Sequence, residues 1–531
     1  MFVPAIKGQG TDDQQQKWLP LAYKMQIIGC YAQTELGHGS NVQGLETTAT
    51  FDPRTDEFVI HSPTLTSSKW WPGGLGKVST HAVVYARLIT DGKDHGVHGF
   101  IVQLRSLEDH RPLPGITIGD IGMKFGNGAY NTMDNGVLRF DHVRIPRNQM
   151  LMRVSQVTRE GKYRQSDVPR QLVYGTMVYV RQQIVADASC ALSRAVCIAT
   201  RYSAIRRQFG SRNGGPETQV IDYKTQQSRL FPLLASAYAF RFVGEWLKWL
   251  YTDVTQRLQA NDFSTLPEAH ACTAGLKSLT TLPLLMELKN VESYVEAMAI
   301  FAAVGFQNYL LFVPACTYEG DNTVLLLQTE LNTEPKTIIK CDYNSWLLLN
   351  VCQTRKVDPV LRGMAEDWLK PGQVLEAFEA RAARMSVSCA RNLSKFANPE
   401  EGLSRNFNKI FLEGVKQQLE ALCGIYYLSL LHKHQGDFLA TSFLTPKHAA
   451  LANDQLRALY TKVRPNAIAL VDSFNYTDHF LGSILGRYDG NVYPKLYEAA
   501  WRDPLNESDI PDGYHEYISP LLKKQLGSAR L

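Results

Sequence analysis

At 531 residues the chain is long enough for two to four domains around a large buried core. Its 44% hydrophobic and 20% charged residues describe an ordinary folded protein, and a net charge of +5 over this length gives no argument for a nucleic-acid partner. No apolar run reaches the length of a membrane span and no secretory signal is present; the nine cysteines, without a CxxC pair or zinc-like spacing, read as reduced thiols of an intracellular protein, so no membrane span and no metal are expected.

The chain opens on Met1-Phe-Val-Pro-Ala-Ile6, which reads like the interior of a folded unit. From about Leu21 to Gln149 short β-rich runs follow: Phe58–His61, Ala82–Ile89, Val97–Gln103 and Gly136–Phe140. Breaks at Pro53, Pro63, Gly92, Pro112, Pro114 and Asp134-Asn-Gly136 favour a small antiparallel barrel or sandwich over βαβ units. From about Tyr174 the period turns helical, through Arg207 and again through about Val254. A further helical block runs from about Ala365 to Leu431, then from Ala449 to Phe474. The fold class expected is α+β: a remnant of a helical domain at 1–20, a β middle domain at 21–150, a helical bundle at 151–345 and a second helical domain at 346–531.

Three strings carry chemistry. In Cys316-Thr-Tyr-Glu-Gly-Asp-Asn322, Glu319 is a carboxylate beside a glycine and behind apolar residues. Burial raises a carboxylate's pKa and makes it a base near neutral pH, although acid-glycine pairs are also common turn residues. Tyr31-Ala-Gln-Thr-Glu-Leu-Gly-His-Gly-Ser40 offers the Thr34 hydroxyl, followed by Gly37 and Gly39, which permit close approach of a ligand. Read alone, it is a glycine-rich hairpin. In Lys69-Trp-Trp-Pro-Gly-Gly-Leu-Gly-Lys77 two indoles precede a Pro-Gly-Gly turn with free backbone N–H groups. Read alone, that is a core tryptophan pair beside a turn.

In this order the three strings resemble the acyl-CoA oxidase family, the flavin oxidases of peroxisomal fatty-acid β-oxidation, in wording closest to the plant long-chain members. The resemblance implies an acyl-CoA dehydrogenase/oxidase-like fold, FAD as cofactor, and a fatty acyl-CoA and O2 as substrates. Desaturation would give a trans-2-enoyl-CoA and hydrogen peroxide. Glu319 matches the family's catalytic base, while Thr34 and Gly73 match its FAD-contacting positions. Arg206, Gln208 and Phe209 match a string that reaches the FAD diphosphate of a neighbouring subunit, which implies a homodimer; a solvated cationic helix end is the bland alternative. Asp321 and Asn322 stand as FAD or main-chain partners, or as caps of the next helix. The long helical C-terminal region, with Val463-Arg-Pro-Asn466 and Gly486–Pro494, is shared with the oxidases and not with the dehydrogenases. The ending Ala529-Arg530-Leu531 is of the type read by the peroxisomal import receptor, so the expected compartment is the peroxisome. The mild positive charge suits an anionic CoA thioester.

The chain departs from the family in places. A CGGHGY string is expected shortly before Glu319, where this sequence has an apolar, helix-like stretch over 282–312. Shifting those codons by one base permits CGGHGY at Val295–Ile300, which reads as a compensated frameshift. Residues from Thr329 to about Met364, and Leu403–Lys409, also lack the family's helices, and the resemblance implies a helical N-terminal domain ahead of Met1. These departures leave the FAD and acyl pockets incomplete, so the chain as written is expected to carry little FAD. A non-catalytic relative that acts only as a binding or subunit partner is therefore the alternative reading.

Overall fold

Two helices lead into the β-rich region of this computed structural model: α1 (Phe2–Gln9) and α2 (Asp12–Tyr23). The structure describes residues 1–124, 129–168, 175–210, 215–260, 262–294, 312–326, 413–440, 444–508, 510–511 and 513–520. Thr11 starts α2 with a capping box: its hydroxyl accepts from the Gln14 N–H while the Gln14 side chain accepts from the Thr11 N–H, so each satisfies a donor of the other. The apolar side chains Phe2, Ala5, Ile6 and Trp18 are buried in one cluster with Val83, Tyr85 and Ile101.

The strands are β1 (Gly29–Ala32), β2 (Thr48–Asp52), β3 (Glu57–His61), β4 (Lys69–Trp70), β5 (His81–Thr90), β6 (Lys93–Gln103), β7 (Ile116–Asp120), β8 (Gly136–Phe140), β9 (Val143–Pro146), β10 (Ser155–Val157) and β11 (Tyr163–Gln165). A six-stranded sheet is built around β5, and a three-stranded antiparallel sheet runs β4-β8-β7. The two sheets share a core in which Leu138, Phe140 and Ile116 meet Phe58, Val84 and Phe100. That is a sandwich, but not the wholly antiparallel one expected. β5 pairs antiparallel with β6, yet parallel with β1 over His81–Val84 and with β2 over Arg87–Ile89. The reason lies in how β5 is covered. Ala82, Val84, Ala86 and Leu88 enter the sandwich core, whereas Val83 and Tyr85 face α1 and α2. A strand covered on both faces reads as a continuous apolar run, and such a run carries no signal of pairing direction.

Three long helices follow: α3 (Gly175–Ile205), α4 (Lys224–Gln259) and α5 (Leu266–Tyr294). The first of these stops at Ile205, short of the expected Arg207. Beyond it β12 (Arg207–Gln208) pairs with β13 (Thr218–Gln219), and Phe209 at φ +58 turns the chain out of the helical region. The second helical part comprises α6 (Glu413–Lys433), α7 (Gln435–Ala440), α8 (Pro446–Val463), α9 (Ala467–Asp472), α10 (Asp478–Leu481) and α11 (Val492–Trp501). Its apolar side chains, among them Ile425, Tyr460, Val463, Leu470, Leu481 and Leu496, share one core with Val196, Tyr202, Phe231 and Leu234 of α3 and α4.

Residues 282–294 continue α5 as a helix. The expectations for 295–311, for the stretch from Thr329 to Met364, for Leu403–Lys409 and for the ending Ala529-Arg530-Leu531 lie outside the described residues. Among the described residues no helix is long and apolar enough to cross a membrane, and six cysteines are free thiols.

Candidate active site

Glu319 follows the short 3-10 turn Val313–Cys316 and adopts φ +57, with Gly320 next to it at φ +106. Two consecutive residues with positive φ are costly when the first carries a Cβ, and such a turn persists only where its surroundings impose it. Two helices impose it here. Arg181 of α3 donates its Nε–H to the Glu319 carbonyl at 2.9 Å. Lys277 of α5 donates from Nζ to the Gly320 carbonyl at 2.7 Å and to Asn322 Oδ1 at 2.9 Å. Both cations are buried. Gly320 is required at its position by space as well as by φ, because a Cβ there would meet Leu325 Cδ2 at 2.7 Å.

Asn322 and Asp321 complete the turn. Asn322 is buried, donates from Nδ2 to Thr281 Oγ1 at 3.0 Å, and its carbonyl accepts from Ser278 Oγ at 3.3 Å. The Asp321 Oδ1 accepts from the N–H groups of Thr323 and Val324 at 3.0 and 3.4 Å, the pattern of a helix cap. These are the contacts of a helix cap and of main-chain support.

The carboxyl of Glu319 is half-buried, and burial raises its pKa above the usual carboxylate range despite the charges of Arg181, the Met1 amino group and Lys277. The same burial lowers Arg181 to about 10 and Lys277 to about 8. His270, 3.4 Å from Arg181, is held down to about 4 by burial and by that guanidinium, so it is neutral near pH 7. Tyr31, at the head of the glycine-rich string, lies close enough to feel the Glu319 charge.

The other two strings meet edge to edge. The Trp70 N–H donates to the Thr34 carbonyl at 3.0 Å, and Gly74 N donates to Met133 O at 2.9 Å. Beneath them lies an ion pair that sequence reasoning missed. Lys69 Nζ sits 3.0 Å from Glu35 Oε1, and neither side chain has any exposure. Lys69 also donates to the carbonyls of Gln33 and Tyr85. Glu35 accepts from Glu46 N at 2.8 Å, Thr47 N at 2.9 Å and Thr47 Oγ1 at 2.6 Å. Burial pushes Glu35 up, but the Lys69 charge and these donors outweigh it and hold the carboxyl below its usual value. The signal was present in the sequence as one acid and one base, each inside a string selected for its glycines and aromatics.

A flavin fits what this face offers. The Thr34 side chain is half-buried, and its hydroxyl has no partner among the described residues. Trp71 is 39% exposed and held at φ +91, a strained conformation for a bulky residue, with its carbonyl tied to Asn135 Nδ2 at 2.7 Å. Gly73 keeps its side free of bulk: a Cβ would approach Met133 O to 3.3 Å. Arg206, Gln208 and Phe209 belong to the segment that leaves α3. They follow the far end of α3, about 36 Å from Arg181 at 1.5 Å per residue. There Arg206 Nη1 donates to Tyr202 OH at 2.8 Å, the Gln208 carbonyl accepts from Tyr223 OH at 2.8 Å, and Phe209 is 76% exposed.

A two-sheet β domain between helices, with a half-buried carboxylate of raised pKa beside it, has the architecture of the acyl-CoA dehydrogenase and oxidase class. Family models agree piece by piece: acyl-coenzyme A oxidase N-terminal over residues 1–28, acyl-CoA dehydrogenase middle domain over 30–143, acyl-CoA oxidase C-alpha1 domain over 174–331, and acyl-CoA oxidase over 403–523. Peroxisomal acyl-coenzyme A oxidase 1 of Arabidopsis thaliana is 66% identical over 100% of this chain and 84% of its own length. The protein of the same name from Rattus norvegicus is 41% identical over 99% and 84%. The crystal structure of a tomato (Lycopersicon esculentum) acyl-CoA oxidase superposes with TM-score 0.84 at 71% identity, covering 98% of this chain and 84% of that one. Acyl-CoA oxidase-1 of Caenorhabditis elegans, complexed with FAD and ATP, gives TM-score 0.81 at 35% identity over 99% and 82%. The chain belongs to the acyl-CoA oxidase family.

Proposed function

We propose that the chain is a peroxisomal FAD-dependent acyl-CoA oxidase that converts a fatty acyl-CoA to its trans-2-enoyl-CoA and reduces O2 to hydrogen peroxide. The observation that carries this is Glu319: a half-buried carboxylate of raised pKa on a constrained turn, in a chain 66% identical to a peroxisomal acyl-CoA oxidase. A proton beside a thioester carbonyl is a weak acid, and its removal calls for a base fixed on one face of the acyl chain. Glu319 takes that proton, and its own backbone N–H is the donor for the developing enolate oxygen. FAD, when bound, supplies the hydride acceptor. Thr34 and Gly73 hold it, Trp71 flanks its ring, and Arg206, Gln208 and Phe209 reach the diphosphate of a cofactor bound by a second subunit. That last assignment makes the working form a homodimer, in keeping with the distance along α3. Asp321 and Asn322 support the base from below. Domain limits follow the same reading: 1–20, 21–150, 151–345 and 346–531. The ending Ala529-Arg530-Leu531 is the address for the import receptor.

The test is peroxide release from palmitoyl-CoA, by the chain as written and by a version in which residues 282–312 carry the reading one base out of frame. Both are scored for bound flavin and for peroxide, and the second is expected to give more of each than the first. In the competent version Glu319→Gln is expected to keep FAD and lose desaturation. Peroxide at an undiminished rate from that variant would remove Glu319 from its role.

A further inference from the structure

We propose that Arg181 and Lys277 are positioning residues for Glu319: from two separate helices they grip the carbonyls of Glu319 and Gly320 and hold the left-handed turn that presents the carboxylate. This deepens the oxidase reading and rests on it for the word base, though not for the geometry.

Each guanidinium or ammonium buried in a helical bundle must be satisfied, and the usual partner is a carboxylate. Here both cations give a hydrogen bond to main-chain oxygen within one dipeptide: Arg181 Nε to Glu319 O at 2.9 Å, and Lys277 Nζ to Gly320 O at 2.7 Å. Lys277 is further fixed through Asn322 Oδ1, which Thr281 also engages. The grip therefore comes from α3 on one side and α5 on the other, onto a turn whose φ values of +57 and +106 need an external hold. Because these hydrogen bonds fall on carbonyls, the cations act on the carboxylate through space, and the carboxylate keeps its capacity to accept a proton. A charge-assisted hydrogen bond to a carbonyl is directional, so the turn is fixed in orientation as well as in place.

Among the described residues, these groups face Glu319 or the cations that hold it. They are Arg181 on α3, Lys277 on α5 with His270 behind Arg181, Tyr31 on β1, the Met1 amino group, and Cys316 and Asp321 of its own segment, which face Lys277. Arg181 and Lys277 both favour the charged carboxylate, so loss of either charge moves the Glu319 titration to higher pH.

Three variants separate position from charge. Arg181→Gln and Lys277→Gln remove charge, and Arg181→Lys keeps the charge but loses the planar Nε–H donor. In the purified chain, modification of Glu319 by a carboxyl-directed diazo reagent is followed by peptide mass spectrometry across pH, with circular dichroism as the check of folding. The two neutral variants should shift the midpoint upward, while Arg181→Lys should leave it in place yet speed amide exchange over residues 312–326. In an oxidase-competent preparation, all three should lower kcat by about 10- to 100-fold, as a displaced base does, with the acid limb moved upward only in the neutral pair. An unmoved midpoint in folded neutral variants, or unchanged exchange in Arg181→Lys, would overturn the proposal. Turnover that survives Glu319→Gln would instead remove Glu319 as the base and leave the labelling result to stand by itself.

Discussion

Glu35 and Glu319 are both withdrawn from water beside a buried lysine, and they are handled in opposite ways. Glu35 is neutralised: Lys69 sits directly on its carboxylate, with two backbone N–H groups and a hydroxyl filling the other lone pairs, and its pKa falls. Glu319 is held by its main chain: Arg181 and Lys277 grip carbonyls, and its pKa rises. Each lysine is lowered to about 8, so the lysines do not tell the two sites apart. What differs is the atom to which the lysine donates. The carboxylate that joins strands is saturated, whereas the one proposed to accept a proton is fixed through its backbone.

The comparison breaks first on Glu319→Gln. In a flavin-loaded enzyme the rate should fall by about 10³-fold, within the range removed with a general base, while the denaturant midpoint stays put or rises. A parallel collapse of stability would mean that Glu319 is a second Glu35. Lys69→Met comes next. It leaves Glu35 buried without a counter-charge and should cost about 3–5 kcal/mol in urea unfolding, with much of that recovered on adding Glu35→Gln. If the single change is harmless, the pair does not tie the two strings together.

Acid titration sharpens the contrast. The lowered pKa of Glu35 gives stability that is fully present above its ordinary value and is lost as pH falls through the folded-state value. Glu319, raised, works in the reverse sense and gains stability as pH falls toward the ordinary carboxylate value. Glu35→Gln should therefore flatten the acid side of a stability–pH curve and Glu319→Gln should steepen it, as read by thermal melts. The smallest effect belongs to Asp321→Ala. Loss of its cap should cost about 1 kcal/mol and loosen the turn without altering the titration of the base.

Local chemistry was legible in the sequence, and long-range support was not. Phe58–His61 and Gly136–Phe140 were readable because residue alternation and flanking turns are local signals. The parallel partners of β5 were not, since nothing in its own apolar run specifies them. Glu319 was readable from its immediate neighbours. Arg181 and Lys277 lie 138 and 43 residues from the carbonyls they hold, and each reads in sequence as one more cation on a helix. Lys69 and Glu35 were inside the chosen strings, yet their burial is a property of the packed sandwich.

The double coverage of β5 has a consequence for how the molecule comes apart. One face of the strand is needed by the sandwich and the other by α1 and α2, so neither layer can peel away while the other persists intact. The opening helices and the β domain thus form a single cooperative unit, with β5 as its keel, and the backbone amides of Ala82–Leu88 are the ones that should exchange with solvent last in that unit.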